Sequence, residues 1–349
     1  MQDTKQITEN ENRWKDLNYF NKLNIRNYSL TFIFLIALYF VLYFSFDSSD
    51  PFNYTGGIYI SVLISIIFSV SLNIAVGLMG QLSLGHAGFI AIGGYTGAIV
   101  SKALSTYSLP SVLQLLIATA AGGILAGIFG FLVGGSTLRL RGDYLAIITL
   151  AFGEIIKYVI QNMDFLGGAT GLKSIPSINT FSNVYFITVI SVVIMTMIMT
   201  SRKGRQVLSI RENEIAAENI GININKVKLY GFTLSAFFAG VGGSLFAHNI
   251  GTLTPDKFGF IFSIEILVMV VFGGLGSITG AVLSAILLTL LNEQLRQVSQ
   301  YRYLVYAIIL IVLMIFRPDG VFGKKELTIP RFINKYKKIR NNLSKKNNI

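Results

Sequence analysis

The feature that most constrains this chain is the length of its uncharged stretches. Pro51 to Ser101 is 51 residues without Asp, Glu, Lys or Arg, and Ala103 to Leu138 is another 36. One bilayer crossing needs about 20 apolar residues, so these runs hold several crossings. By length alone, 349 residues could form two or three soluble domains, but the uncharged runs overrule that reading. Composition agrees: 52% hydrophobic and 13% charged, against roughly 25% charged in a soluble domain. The fold class is an all-α polytopic membrane protein.

Apolar length and its interruptions predict ten spans, at 29–46, 58–79, 84–102, 111–138, 144–160, 183–200, 229–250, 259–272, 277–293 and 302–316. Around them lie an N-terminal segment 1–28, a polar island 201–228 between spans, and a tail 317–349. The island carries six basic residues (Arg202, Lys203, Arg205, Arg211, Lys226, Lys228) against three acidic (Glu212, Glu214, Glu218), and the tail carries ten against two. Basic excess marks the cytoplasmic side, so both termini, the Arg139–Asp143 cluster and the island are expected inside. Asp47–Gly57, the 161–182 loop with Asn179, and Asp256–Lys257 are expected outside. Arg296 and Arg302, also placed outside, are the one discord. The span 111–138 is long for one crossing and is expected to tilt or protrude. The net charge of +12 is concentrated in a tail that follows a span, which suits contact with anionic lipid rather than nucleic acid. With no cysteine and two histidines, His86 and His248, neither disulfides nor a thiolate or histidine-rich metal site is available. The polar first 28 residues exceed the n-region of a signal peptide, so Ser29–Phe46 is expected as a retained span. The single tryptophan, Trp14, is placed along the cytoplasmic interface.

Glycine is frequent and clustered. Gly93 and Gly97, Gly123 and Gly127, Gly130 and Gly134, and Gly276 and Gly280 are GxxxG pairs, whose plainest role is close helix packing. Two stretches differ because small polar residues interrupt the apolar run: GLMGQLSLGHAGFIAIGG at Gly77 to Gly94, and GGLGSITG at Gly273 to Gly280. Placing Gly80 on Gly274 also aligns Ser83 with Ser277 and Ala87 with Ala281, while Ala126-Gly127, Gly130 and Asp143 align with Ala239-Gly240, Gly243 and Asp256 at a different offset. The two offsets do not form one tandem repeat. Transporters place broken helices at corresponding positions of two halves, with helix N-termini aimed at the substrate. That makes Ser83, Gly85, His86, Gly274, Gly276 and Ser277 candidates for a substrate pathway, with Ser83 and Ser277 as N-caps of the following helices. The alternative is a pair of tight turns at the membrane face.

Within the island, Arg211 to Ile220 is rich in helix formers, and Gly221 can close such a helix. A short helix held at fixed height by two spans is suited to receive a push from a soluble partner; the bland alternative is a solvated connector. Glu154 and Glu265 sit inside apolar spans, where carboxylates are expensive and point to proton relay or substrate contact. Glu154 can instead pair with Lys157 one turn on. His86 fits a hydrogen bond to a neighbouring helix, and His248 an interfacial place. No HExxH, GxSxG or GxxxxGK[ST] pattern occurs, so an enzyme reading has no support and any ATPase must be another polypeptide.

Five blocks in order carry a resemblance: GQLSLGHAGFIAIGGYTGA at 80–98, RGDYLAIITLAFGEI at 141–155, RENEIAAENIGIN at 211–223, MVVFGGLGSITGAVLSA at 269–285 and FRPDGVFG at 316–323. Together they resemble the permease subunits of branched-chain amino-acid ABC importers, specifically the LivM-like member of the permease pair. The resemblance implies a homologous second permease, two cytoplasmic ABC ATPases that use the ATP, and an extracytoplasmic binding protein delivering leucine, isoleucine or valine. It implies no cofactor in this chain and a place in the inner or plasma membrane. It also gives the island a role as coupling helix. Ala216-Ala217 and Gly221 match that motif's spacing, whereas Glu214 sits one place early, Ile215 stands where the motif has Glu, and 231–234 reads GFTL where a proline is expected. Arg211, Glu212, Glu214, Ala217 and Gly221 are its candidate functional residues. A urea or small-amide importer and a proton-coupled amino-acid carrier are the competing readings.

Overall fold

In the computed structural model the described residues are 54–107, 109–137 and 143–296, with isolated positions at 39, 40, 43, 304, 305, 307, 308, 311, 315, 316 and 320. The chain divides into two units, Pro51–Glu326 and a second made of Met1–Asp50 with Leu327–Ile349. Of the second, only Tyr39, Phe40 and Tyr43 are described; they are helical, and Tyr39 stacks on Tyr43 with ring centroids 5.6 Å apart. The segment 1–28, most of the expected spans 29–46 and 302–316, Arg302, the tail beyond Gly320, and the cluster of Arg139, Arg141 and the Asp143 side chain lie outside the described residues.

The larger unit is helical. α1 (Tyr54–Asn73) runs into a π-turn at Ile74–Leu78 and is followed by α2 (His86–Leu104), α3 (Ser111–Thr137), α4 (Asp143–Gln161) and α5 (Phe181–Thr200). The island forms α6 (Arg202–Glu212) and α7 (Glu214–Asn219), and α8 (Ile224–Ile250), α9 (Phe260–Gly273) and α10 (Ile278–Gln294) complete the set. The sole extended pairing among the described residues is an isolated bridge between Leu172 and Leu253. Helices suit such a sequence because in lipid each backbone N–H and C=O must find its partner within the protein. Among the described residues, six helices (α1 with its π-turn, α2, α3, α4, α5 and α8) are long and apolar enough to cross a membrane. α9 and α10 have 14 and 17 residues, or about 21 and 26 Å at 1.5 Å per residue, short of a hydrocarbon core of about 30 Å. The helices fall where the apolar runs place them. α3 has 27 residues, about 40 Å, which is longer than one crossing needs.

Where α8 crosses α2 and α3 the packing rests on small residues, while Phe89, Phe232 and Phe258 fill the core elsewhere. α8 lies between α1, α2 and α3, and the contacts are backbone on backbone. A methyl added to Gly93 of α2 would lie 2.2 Å from the Cα of Gly240 on α8, and one on Gly243 of α8 would lie 2.2 Å from the Ile90 carbonyl oxygen. Gly97 faces Ser244, Gly123 faces Val241 and Phe237, and Gly130 faces Ala236. With lipid as apolar as leucine, no hydrophobic drive brings these helices together, so close approach of small residues supplies the van der Waals contact instead. The outward faces carry Ile124, Phe131 and Leu132 on α3, Ile147 and Ile155 on α4, and Ile190 and Met197 on α5, all exposed. Such a surface fits an acyl-chain environment.

This packing gives a test. Gly57 on α1 has nothing within 4 Å of an added methyl, so Gly57→Ala is expected to leave the thermal midpoint of the detergent-solubilised protein unchanged or slightly raised. Gly93→Ala is expected to lower it, overpacking costing roughly 1–3 kcal/mol. Equal midpoints for the two variants would contradict backbone contact between α2 and α8.

Candidate functional site

The two glycine stretches form two breaks, and the structure brings them together. The first runs from Met79 to Gly85, between the π-turn and α2, with Gly80 at φ 68°. The second spans Gly274 to Ser277, between α9 and α10, with Gly274 at φ 109° and Gly276 at φ 88°. Each joins consecutive helices as a turn, with Ser83 and Ser277 buried at 3% and 0% exposure while Leu82 and Leu275 reach the surface.

Their junction is held by one buried amide. The Asn73 Oδ1 accepts from the Gly276 N–H at 2.9 Å, and its Nδ2 donates to the Ser277 carbonyl at 3.0 Å. One turn earlier on α1, the Ser69 hydroxyl donates to the Ala281 carbonyl at 3.1 Å. Gly77 sits against this contact: an added methyl would lie 1.9 Å from the Asn73 Oδ1 and 2.3 Å from the Gly276 nitrogen. Gly320, from the FRPDGVFG block, closes the other side, where an added methyl would lie 2.4 Å from the Gly274 Cα. Asn73 was not singled out from the sequence, although it is the sole side-chain amide between Tyr54 and Gly80. A lone amide in an apolar run is the signal that could have found it.

The island folds differently from the single helix expected over 211–220. The chain breaks at Asn213, which is extended (φ −158°, ψ 108°), and its side chain accepts from the Ala216 N–H at 3.0 Å. Asparagine is a strong N-cap and a poor helix interior, so it starts α7 rather than continuing α6. Gly221 at φ 84° ends α7 as expected: its N–H donates to Glu218 O at 2.9 Å and the Ile222 N–H to Ala217 O at 3.1 Å, the paired bonds of a Schellman cap. Ala217 is buried beneath α7, and Ile215 and Ile220 are 73% and 74% exposed. Glu214 is held by Lys228 of α8, Nζ to Oε1 3.0 Å. Arg211 turns the other way. Its Nη1 donates to the Gly77 carbonyl at 2.7 Å, while its Nη2 pairs with Glu212 at 2.9 Å. The island is thereby fastened through Arg211 to the start of the junction's first break and through Glu214 to α8.

The remaining residues divide by location. Ser277 caps α10, accepting from the Gly280 N–H at 3.0 Å, but Ser83 caps nothing. α2 begins at His86, and the Ala87 N–H is taken up by the Ser263 hydroxyl of α9 at 3.0 Å. Gly85 presses on α4, where an added methyl would lie 2.0 Å from the Thr149 carbonyl oxygen. The Ser71 hydroxyl donates to Phe68 O, so the Nε2–H of His86 is the donor in its 2.9 Å bond to Ser71 Oγ. His248 is 0% exposed rather than interfacial, with Nδ1 2.7 Å from Ser244 O. Glu154 pairs with Lys157 at 2.5 Å and accepts from the Phe260 N–H at 2.9 Å. Glu154 and Glu265 both line a cavity of about 850 Å³ with Lys157, Asp256 and Lys257, apart from the junction. Arg296 is matched where it stands, 3.2 Å from Glu293 and over the Tyr54 ring.

Among the described residues, six helices long and apolar enough to cross a membrane, packed around a glycine-lined centre and interrupted by paired turns, define a multi-pass membrane protein. A family model described as the permease component of the branched-chain amino acid transport system matches residues 54–316. The high-affinity branched-chain amino acid transport system permease protein LivM of Escherichia coli (strain K12) is 36% identical, over 74% of this chain and 68% of that protein. BraD of Pseudomonas aeruginosa, a permease protein of the same kind of system, is 28% identical over 75% of this chain and 92% of its own length. The ribose import permease protein RbsC of Haemophilus influenzae is 25% identical over 66% and 75%. The chain belongs to the branched-chain amino-acid transport permease family and is a LivM-like ABC transporter permease.

The junction can be tested by itself. Asn73→Ala strands a buried N–H and a buried C=O, each costing roughly 1–3 kcal/mol. A fall in thermal midpoint of several degrees is expected, against no change for Ser136→Ala, whose exposed hydroxyl bonds Leu132 O and Val133 O of its own helix. A midpoint unaltered in Asn73→Ala would contradict the role assigned to the amide.

Proposed function

We propose that this chain is one of the two membrane subunits of an importer for leucine, isoleucine and valine, working by alternating access. A homologous second permease completes the pathway, and two cytoplasmic ABC ATPases supply the energy, all the ATP being used there. An extracytoplasmic binding protein delivers the amino acid at the face formed by the 161–182 loop and Pro255–Phe258. The complex sits in the cell (inner or plasma) membrane, with the island and both termini inside. The cargo is assigned from the family, whose members named for branched-chain amino acids include the 36% identical LivM.

The observation that carries the mechanism is α7. It is a short helix raised on the island, closed at both ends, tied to α8 through Lys228–Glu214, and presenting Ile215 and Ile220 outward. A rigid polar-rimmed knob with two exposed isoleucines is built to seat in a groove of another protein. A solvated connector needs neither the caps nor the isoleucines. Ser83, Gly85, His86, Gly274, Gly276 and Ser277 then lie along or behind the transport route, where the two turns meet. The proton-carrier reading loses support from Glu154, whose carboxylate is already engaged by Lys157 and the Phe260 N–H.

The test is uptake of labelled leucine, valine and urea by the reconstituted complex, with and without ATP. Leucine and valine uptake is expected to require ATP and to persist with an uncoupler at constant ATP, in wild type and in Glu154→Gln and Glu265→Gln. Gly221→Val is expected to assemble normally. At φ 84° the side chain meets open space, so the penalty is purely conformational, about 1–2 kcal/mol. Uptake is expected to fall about tenfold, the equivalent of about 1.4 kcal/mol. Uptake that stops with the uncoupler, or urea taken up in place of leucine, would overturn the proposal.

A further inference from the structure

The island was expected to meet its partner through Arg211 as well as through α7, yet the Arg211 side chain points into the bundle and is only 20% exposed. We propose that Arg211 is a positioning residue that latches α6 to the two helix turns, so that movement of the island alters the junction of α1, α2, α9 and α10 directly. The proposal rests on the reading of the chain as an ATP-driven permease subunit.

Three features of the junction are shaped around this one side chain. The first break makes room for its stem: Gly80, at φ 68°, has the Arg211 Cγ 3.0 Å from where a methyl would stand. The second makes room for its head: a methyl on Gly276, at φ 88°, would lie 2.6 Å from Nη1. Between them, Nη1 donates to the Gly77 carbonyl at 2.7 Å. The last carbonyls of a helix lack intrahelical donors, and the π-turn at Ile74–Leu78 is where this one falls. Gly77 in turn lies against the Asn73 Oδ1 that accepts from the Gly276 N–H. One guanidinium therefore lies against both turns, and the Asn73 amide ties the end of α1 to the second turn. The fork geometry matters, because a second nitrogen, Nη2, is left to pair with Glu212 at the surface of the same helix. A lysine has one head group and cannot hold the inward carbonyl and the outward carboxylate at two fixed sites.

A shift of α6 along or away from the bundle cannot leave the turns unmoved while these bonds hold. The π-turn favours this as a moving part, since such one-turn irregularities store an adjustable register inside a helix. α6 thus reaches the transport route through Arg211, and α7 reaches the partner through Ile215 and Ile220.

The experiment measures ATP hydrolysis and leucine uptake side by side in the reconstituted full complex, for wild type, Arg211→Gln and Arg211→Lys, with complex yield recorded for each. Arg211→Gln is expected to assemble at wild-type yield and hydrolyse ATP within twofold of wild type, while uptake per ATP falls at least tenfold; Arg211→Lys is expected to fall between the two. A residue that merely supported the fold would lower yield, hydrolysis and uptake together. An unchanged uptake-to-ATP ratio in Arg211→Gln, or in Arg211→Lys if only that variant assembles, would overturn the latch. So would hydrolysis falling in step with uptake, which would place Arg211 at the ATPase contact, or failure of both variants to assemble. A wild-type complex without ATP-dependent uptake would refute the functional reading itself, before the variants are compared.

Discussion

The structure at the α6 end of the bundle depends on the way one amide side chain replaces missing backbone partners. Where helices stop inside a membrane protein, their terminal N–H and C=O groups lose intrahelical bonds and have no water to turn to. Asn73 has one acceptor and one donor group to offer, and it spends them on the Gly276 N–H and the Ser277 carbonyl. Ser263 does the same for the first turn of α2, and Arg211 for the carbonyl of Gly77. The turns can therefore bury Ser83 and Ser277 in the bundle while Leu82 and Leu275 reach its surface. Irregular backbone inside a membrane protein is tolerated only where it is buried in protein or lines a water-filled cavity.

Glycine is the other half of that arrangement. A polar side chain can reach a backbone atom in a neighbouring helix only when the helices are nearly in contact, and the absence of Cβ atoms allows it. At Gly77 the Asn73 oxygen occupies the place of a side chain. At Gly93, Gly240 and Gly243 the gain is helix packing alone, in a setting where burial of apolar surface supplies little drive. The same residue type thus serves two purposes: centre packing between α2 and α8, and access for hydrogen bonds at the junction. At Gly80, Gly274 and Gly276 the positive φ adds a third.

Much of this was legible in the sequence, because uncharged length is a coarse signal that tertiary structure does not override. The described helices begin and end within a few residues of the apolar runs, and α3 is as long as its run required. Gly93, Gly97, Gly123 and Gly130 packed against neighbouring helices while Gly276 of the fourth pair took a place in a turn, Ser277 capped its helix, Gly221 took its left-handed place, and Glu154 paired with Lys157. What the sequence hid were matters of contact between distant segments. Ser83 resembled Ser277 in its surroundings, yet α2 starts two residues later than a Ser83 cap would place it, and Ser263, 176 positions away from its partner Ala87, takes up the free N–H there. The island broke at Asn213 because its side chain offered the backbone a better bond than helix continuation. His248 proved buried, with its Nδ1 against the Ser244 carbonyl of its own helix. Arg211 looked like one of several surface charges; only the fold shows that its carbonyl partner lies 134 positions earlier.

The central claim is that both helix turns open on the side of the bundle that carries the island, opposite the 161–182 loop. Since the chain has no cysteine, single cysteines can be placed at Leu82 and Leu275, each 39% exposed on one of the two turns, and at the exposed Arg205 and Ser177. Labelling with an impermeant thiol reagent in right-side-out and inside-out vesicles then reads the side of each. Positions 82, 275 and 205 are expected to label together in inside-out vesicles only, and position 177 in right-side-out vesicles only. Labelling of position 82 or 275 in company with 177 would contradict the account.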